Sequence, residues 1–214
     1  MRSSDYMNEF KFPGDFDDTF ETKTTTAKER VNNLVLNALM TSSREDRKIM
    51  YLDGPQGYTT SVLAKHFKPD QLHAVNANPL FKNHPVLKKT LTFQCLVYEM
   101  IRDAAPYSKG RKMITLSYDL LLDYCCTFEG NDVCRPKKDL ELAFHKQLLA
   151  KKNGILWLTF CLRSPSGRKF HNTIGNIKEF LITEGSNYGY NFKILNEGQY
   201  GVGNSMYFII LKTM

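Results

Sequence analysis

The stretch from Lys48 to Gly57, KIMYLDGPQG, constrains the fold of this chain more than any other part of the sequence. Ile49–Leu52 is a short apolar run of strand type, and the turn-forming residues Asp53–Gly57 close it. A hydroxyl side chain within Thr59–Ser61 can then cap a helix, which must end before Pro69. A strand, a glycine turn and a helix start in this order predict the part of an α/β sheet where a nucleotide-like ligand approaches the backbone.

The glycine spacing in this turn narrows the choice of ligand. A dinucleotide-binding loop needs G-x-G-x-x-G, and only Gly54 and Gly57 are present; a P-loop needs a lysine after its last glycine, and none follows Gly57. Asp53 followed by G-x-x-G resembles the first motif of class I S-adenosylmethionine (SAM) methyltransferases, although Pro55 lies where that family usually has a further glycine. The resemblance implies SAM as the cofactor, held at Asp53, Gly54, Pro55 and Gly57. An ordinary strand-to-helix turn is the alternative.

The order of the predicted elements extends this resemblance over residues 26–214. Thr26-x-x-Glu29 has the form of a capping box and opens an amphipathic helix that ends near Thr41. After it the sequence predicts strands at 49–52, 71–76, 118–124 and 155–160, helices after Gly57, after Pro136 and at 172–183, and final strands at 191–195 and 205–211. Residues 90–101 could form a helix or contain a short third strand around 93–98. The helix after Pro136 is expected to close at Asn153 and Gly154, and residues 196–204 are expected to form a glycine-rich connection. The predicted fold is α/β: a doubly wound, mostly parallel seven-stranded sheet with a C-terminal antiparallel hairpin. Residues 1–25 are predicted to form an irregular N-terminal arm.

Polar residues follow the predicted parallel strands, and the carboxyl ends of such strands meet at one edge of a sheet. In class I methyltransferases the second strand is followed by an acid that binds the SAM ribose, whereas this chain offers Asn76 and Asn78. Asparagine can still bond a hydroxyl, and an Asn-Pro turn is the structural alternative. The fourth strand ends at Asp123, which the resemblance places beside both the SAM sulfonium and the methyl acceptor.

The tetrapeptide Asp123-Tyr124-Cys125-Cys126 leaves the chemistry open. Asp123 and Tyr124 occupy the place of the polar motif in which amino-methylating DNA enzymes hold an exocyclic amine, although the prolines of that motif are missing. Cys126, together with Cys161 after the next strand, resembles the cysteine pair of RNA cytosine-C5 methyltransferases, in which a thiolate attacks the base. The catalytic candidates are therefore Asp123, Tyr124 and Cys126, and a buried structural role is the alternative for the cysteines.

A third pattern is the Lys-Asp-Lys-Glu tetrad of ribose 2′-O-methyltransferases, in which a lysine takes the hydroxyl proton. Lys28, Asp123 and Glu197 fall in about the right elements. The fifth strand is followed by Arg163, which stays protonated and cannot replace the second lysine as a base. The sequence therefore does not decide the methyl acceptor.

Charge and composition bear on the partners. The 29 basic and 22 acidic residues give a formal net charge of +7, which favours an anionic partner such as RNA or DNA. Lys28, Arg163, Arg168 and Lys169 are the predicted substrate-binding residues. The five cysteines have no paired C-x-x-C spacing, so no structural metal site or disulfide framework is expected, and a reducing compartment, cytoplasm or nucleus, is predicted. No apolar run is long enough to cross a bilayer, and the N-terminus lacks the apolar segment of a secretion signal.

Three functions remain from the sequence. The favoured one is a SAM-dependent methyltransferase acting on nucleic acid, with Asp123 and Tyr124 at the transfer site. The second is a non-catalytic subunit with a methyltransferase fold, because the glycine loop is reduced and the ribose-binding acid is missing. The third is a small-molecule methyltransferase. A partner protein or a homo-oligomer is compatible with all three.

Overall fold

The computed structural model describes residues 18–53, 57–76, 90–93, 97–103, 117–124, 126–130, 134–162, 173–201 and 205–214. Five α-helices lie within these ranges: α1 (Asp18–Thr41), α2 (Tyr58–Leu63), α3 (Val97–Asp103), α4 (Pro136–His145) and α5 (Thr173–Asn187). The strands are β1 (Ile49–Leu52), β2 (Leu72–Val75), β3 (Leu91–Phe93), β4 (Asp119–Asp123), β5 (Ile155–Cys161), β6 (Phe192–Tyr200) and β7 (Met206–Thr213).

The seven strands form one sheet in the order β3-β2-β1-β4-β5-β7-β6. The first five strands of this order are parallel, whereas β7 is antiparallel to both β5 and β6. The predicted seven-stranded sheet with its antiparallel hairpin is therefore confirmed. The chain turns from one half of the sheet to the other between β1 and β4, and ligands of open α/β sheets bind at such a switch point.

Helices cover both faces of the sheet. On one face, α1 packs Val31, Val35 and Leu39 against Leu121 and Trp157, in a cluster that α2 extends. On the other face, α3, α4 and α5 pack against β4, β5 and β7 in a larger apolar cluster. The three consecutive leucines of β4 are buried on both faces, as expected for a central parallel strand.

A buried ion pair fastens the amino end of β4. The Asp119 carboxylate accepts a hydrogen bond of 2.8 Å from Arg47 and one of 2.6 Å from the backbone N–H of Ile155. Arg44 approaches the same carboxylate at 3.4 Å. Asp119 is fully buried, so these partners compensate a charge that would otherwise be costly to bury.

Several element boundaries differ from the prediction. The first helix begins at Asp18, so residues 18–25 of the predicted irregular arm are helical; they contain Phe20 as their only large apolar residue, which leaves no apolar periodicity to detect. The helix after Pro136 ends at His145 rather than near Asn153, because the chain turns there and Leu149 forms a bridge with Tyr118. The sixth strand continues to Tyr200, through residues predicted to be a glycine-rich connection. The third strand is Leu91–Phe93, slightly earlier than predicted.

None of the helices described is long and apolar enough to span a membrane. Among the described residues no group of histidine, cysteine or carboxylate side chains has the arrangement of a metal site.

Candidate functional site

The sheet brings three of the predicted site residues to one edge. Asp53 and Asn76 follow β1 and β2 at equivalent positions, because Leu52 pairs with Val75. Asp123 ends β4 two positions after Leu121, which pairs with Tyr51, so Asp53 and Asp123 are level across the switch point. Gly54, Pro55 and Asn78 lie outside the described residues.

The Asp53 carboxylate fastens the turn between β1 and α2. It accepts hydrogen bonds from the backbone N–H groups of Thr59 at 3.2 Å and Thr60 at 2.8 Å, and from the Thr60 hydroxyl at 2.6 Å. Gly57 has φ +64° and ψ +32°, a left-handed conformation that other L-residues adopt only with strain. The turn is therefore held by its own acid, and glycine is required where the chain reverses.

A buried hydroxyl pair supports the same turn from below. The Tyr51 hydroxyl lies 2.9 Å from the Thr60 hydroxyl. Burial raises the pKa of Tyr51 well above its ordinary value, so the phenol keeps its proton. Since Thr60 donates to Asp53, Tyr51 is the donor to Thr60, and the three side chains form one directed chain of hydrogen bonds.

Asn76 connects the end of β2 to the end of β1. Its side-chain amide donates a hydrogen bond of 2.6 Å to the backbone carbonyl of Asp53. This contact uses the nitrogen of the amide to hold the β1 turn, and it fixes Asn76 beside the crevice.

Asp123 is the centre of a polar cluster contributed by three elements. Its Oδ2 forms a salt bridge with Lys28 of α1, and its Oδ1 accepts a hydrogen bond from the hydroxyl of Thr159 in β5. The Lys28 ammonium also lies 5.1 Å from the centroid of the buried Trp157 ring. The side chains of Lys28 and Asp123 keep exposures of 21% and 19%, so the pair is partly accessible. The structure thus brings together Lys28 and Asp123, which lie far apart in the sequence.

Tyr124 points away from this cluster, into the core. Its hydroxyl donates a hydrogen bond of 2.8 Å to Asp139 of α4, and its ring stacks on Phe160. Burial, reinforced by the neighbouring Asp139, raises the pKa of Tyr124 well above its ordinary value. The Tyr124 side chain is 2% exposed, so its hydroxyl faces α4 and the protein interior in this structure.

The cysteines after β4 and β5 lie close together through their backbones. The N–H of Cys161 donates a hydrogen bond of 2.9 Å to the carbonyl of Cys126. The Cys126 thiol lies 3.9 Å from the carbonyl oxygen of Cys134 and packs against the core of the α4 and α5 face. Cys126, Cys134 and Cys161 are free thiols that are partly buried.

Glu197 does not join Lys28 and Asp123, so these three residues do not form one cluster. Asp123 pairs with Thr159, which pairs with Phe208 and through it with Gly198, so these four residues share the face that α1 covers. Glu197 is the next residue along β6 and therefore faces the opposite side. There it pairs with Lys178 of α5 at 2.9 Å and accepts a hydrogen bond of 2.5 Å from Tyr207. These contacts lower the pKa of Glu197, with the Tyr207 hydroxyl as the largest cause.

One of the four predicted substrate-binding residues lies within the described part of the chain. Lys28 lies at Asp123, whereas Arg163, Arg168 and Lys169 lie outside the described residues. The contact between Thr159 and Asp123 was not predicted from the sequence. The sequence shows only a hydroxyl residue near the end of an otherwise apolar strand. The contact with Asp123 can be inferred only when the pairing of β4 with β5 is known.

Solved structures with the same fold include three methyltransferases. The N-methyltransferase NodS from Bradyrhizobium japonicum, crystallised with S-adenosyl-L-homocysteine, is 14% identical with a TM-score of 0.53, over 99% of this chain and 96% of that chain. The 1,6-didemethyltoxoflavin-N1-methyltransferase of Burkholderia thailandensis, with bound 1,6-didemethyltoxoflavin and S-adenosylhomocysteine, is 14% identical with a TM-score of 0.54, over 99% and 87%. A SAM-dependent methyltransferase from Clostridium acetobutylicum is 12% identical with a TM-score of 0.51, over 85% and 89%.

These likenesses show that the chain has the class I methyltransferase fold, as the sequence analysis predicted. No protein-family profile matches the sequence, and no curated protein matches it. At such low identity the likeness establishes the fold alone, and the reaction has to be argued from the site.

Proposed function

We propose that this protein is a SAM-dependent methyltransferase whose cofactor lies across the carboxyl ends of β1, β2 and β4. The observation that carries the proposal is the position of the Asp53-fastened turn. It lies at the switch point of the sheet, and Gly57, which has no side chain, leads from the turn into α2. A ligand can approach a glycine backbone more closely than any other.

In this proposal the chain's own residues divide the work of holding SAM. Gly54, Pro55 and Gly57 supply the backbone surface beside the methionine part, and Asp53 keeps the turn in shape through Thr59 and Thr60. Asn76 and Asn78 are the proposed partners of the ribose, because an amide can bond a hydroxyl group. Asp123 lies nearest the methyl group that SAM supplies, while Tyr124 supports the strand end from the core.

Calorimetric titration with SAM tests this proposal most directly. We expect the wild-type protein to bind SAM, and Gly57→Leu to abolish binding because its side chain occupies the ligand's space and strains a left-handed residue. Gly175→Leu is the matched control, since a side chain at Gly175 in α5 meets open space. No SAM binding by the wild-type protein would reject the enzyme assignment, and unchanged binding by Gly57→Leu would reject this site.

We further propose that the methyl acceptor is part of a nucleic acid. The net charge of +7 supports an anionic partner, and Lys28 with Arg163, Arg168 and Lys169 are the proposed contacts. Binding of short RNA and DNA should weaken steeply with salt, because each neutralised phosphate releases counterions. The triple variant Arg163→Ala/Arg168→Ala/Lys169→Ala should flatten that dependence, whereas Lys65→Ala/Lys68→Ala, on the exposed segment after α2, is the control. Failure to bind at low salt would favour a small-molecule acceptor, the class named for the Burkholderia enzyme.

A non-catalytic binding protein is the second candidate. It is favoured by the use of the Asn76 amide within the β1 turn and by the lack of a carboxylate directly after β2. This candidate predicts nucleic-acid or protein binding without SAM binding, so the same titration separates it from the enzyme.

A further inference from the structure

The Asp123 carboxylate is fixed by side chains from two different elements and remains reachable. Thr159 is fully buried and occupies the position in β5 that pairs with Asp123, so its hydroxyl is delivered to Oδ1 by the sheet itself. Lys28 reaches Oδ2 from α1, and the Trp157 ring lies beneath its ammonium. A charged acceptor that is oriented in advance, yet 19% exposed, is suited to contact a ligand in the crevice.

Thr159 and Lys28 also determine which hydrogen bonds the Asp123 carboxylate can form with a ligand. Thr159 donates its single hydroxyl hydrogen, and the Lys28 ammonium carries only donors. An ionised carboxylate has about four acceptor positions, and these two contacts take one on each oxygen. The Asp123 carboxylate can therefore accept a hydrogen bond from a ligand.

From this geometry we infer that Thr159 and Lys28 are positioning residues that aim Asp123 at the methyl acceptor, and that this acceptor is a neutral N–H or O–H group. The inference rests on the proposed methyltransferase function and names the class of its substrate. An ionised carboxylate or a thioether has no hydrogen to donate to Asp123. An amino group on a heterocycle or sugar, or a hydroxyl group, satisfies the carboxylate and has a lone pair for the attack.

The transfer step then balances as follows. The nitrogen or oxygen lone pair forms a bond to the methyl carbon of SAM while the bond from that carbon to sulfur breaks. The electron pair of the broken bond stays on sulfur, and the sulfonium becomes the thioether of S-adenosylhomocysteine. The hydrogen that was donated to Asp123 leaves the acceptor as a proton, through the carboxylate to water. Asp123 contributes orientation and a place for the proton, and Thr159 and Lys28 contribute the fixed geometry.

The test measures transfer of labelled methyl groups from SAM to RNA, DNA and free nucleosides, together with the Kd for SAM. We expect Thr159→Val and Lys28→Met each to lower kcat about tenfold, the usual effect of losing one oriented hydrogen bond, with the SAM Kd changed by no more than about twofold. Asp123→Ala should lower kcat further. Thr159→Ser and Lys28→Arg should restore most of the activity, because they keep the hydroxyl and the charge. The matched control is Lys178→Met, which removes a lysine from an ion pair on the opposite face of the sheet and should leave kcat unchanged.

The outcomes separate this inference from the proposed function. Absence of SAM binding would overturn the methyltransferase assignment itself. SAM binding with a methyl group found on carbon, sulfur or a carboxylate would overturn the inference alone, as would an unchanged kcat in Thr159→Val. If neither RNA, DNA nor any nucleoside is methylated, the NMR signal of the Thr159 methyl group is followed with S-adenosylhomocysteine and nucleosides present. A shift on adding adenosine or cytidine supports the inference, and no shift with any nucleoside overturns it.

Discussion

The hydroxyl of Tyr124 donates a 2.8 Å hydrogen bond to the carboxylate of Asp139, and neither side chain is more than 3% exposed. This pair lies directly beneath the end of β4, one residue from Asp123. Burial raises the pKa of Asp139 to about 7, against the opposing effects of the Tyr124 hydroxyl and Arg135. A buried carboxyl group with a raised pKa therefore lies beneath the candidate site.

This pair makes stability depend on pH. The folded pKa of Asp139 lies above the unfolded value of about 4, so the folded state binds more protons between these values. The contribution of Asp139 to the free energy of unfolding is fully present below about pH 4 and is lost as the pH rises through about 7. Asp139→Asn keeps an acceptor for Tyr124 without a charge, and it should exceed wild type in stability at pH 8 by up to about 4 kcal/mol. Urea unfolding at pH 5 and pH 8 measures this, with the exposed Asp70→Asn as control. An equal pH dependence in wild type and Asp139→Asn would contradict the prediction.

The chain of hydroxyl groups below the β1 turn gives a second prediction. Thr60→Val removes the group that links Tyr51 to Asp53, and the buried phenol loses one of its hydrogen-bond partners. We expect the free energy of unfolding to fall by about 1–3 kcal/mol, and SAM to bind more weakly because Asp53 loses one of its anchors. Thr60→Ser should restore both properties. Chemical denaturation and calorimetry check the prediction, and a Thr60→Val protein of wild-type stability would refute it.

Substitution of Cys126 distinguishes a structural role of its thiol from covalent catalysis. Its thiol contacts the Cys134 carbonyl and the apolar core, so we expect Cys126→Ser to lower the melting temperature while leaving kcat within about threefold. Cys161→Ala should behave in the same way. Complete loss of turnover in a well-folded Cys126→Ser protein would instead indicate thiolate attack on a cytosine ring.

The ion pair at the opposite end of β4 gives a prediction about stability alone. Arg47→Met removes the 2.8 Å partner of the fully buried Asp119, which should cost about 3–5 kcal/mol. In an Asp119→Asn background the same change should cost much less, because no buried charge is left without its partner. A double-mutant cycle by urea unfolding measures the difference. Equal costs in the two backgrounds would show that Arg47 acts through contacts other than the Asp119 charge, such as its hydrogen bond to the Ser42 carbonyl.

Much of the fold was predictable because apolar runs and glycine turns carry local information. The strands around Tyr51, Leu121 and Trp157 are short apolar runs, and their alternation with helices indicated a parallel sheet. The start of the first helix was not predictable, because residues 18–25 contain no apolar stripe. The length of β6 was missed because its side chains are largely exposed or half-buried, so polar and glycine residues continue the strand.

Site residues at the end of an apolar strand could be predicted from the sequence. Site residues whose position depends on which face of the sheet they occupy could not. Asp53 and Asp123 follow apolar runs, so their place at one edge followed from the parallel sheet. The face of Glu197 depends on an irregularity between Ile194 and Asn196, where β6 shifts register against β7. One extra residue in a strand reverses the side to which every later residue points, and no local pattern in the sequence marks it.

The packing of α1 has a consequence for how the protein is made. Val31, Val35 and Leu39 share one cluster with Phe208 and Ile210, so the first described helix is covered by the last strand. During synthesis the apolar side of α1 lacks Phe208 and Ile210 as partners until β7 has left the ribosome. Contacts between such distant parts of a chain form slowly, because a long loop must close first. The nascent chain is therefore most exposed to aggregation and to chaperones just before β7 inserts between β5 and β6.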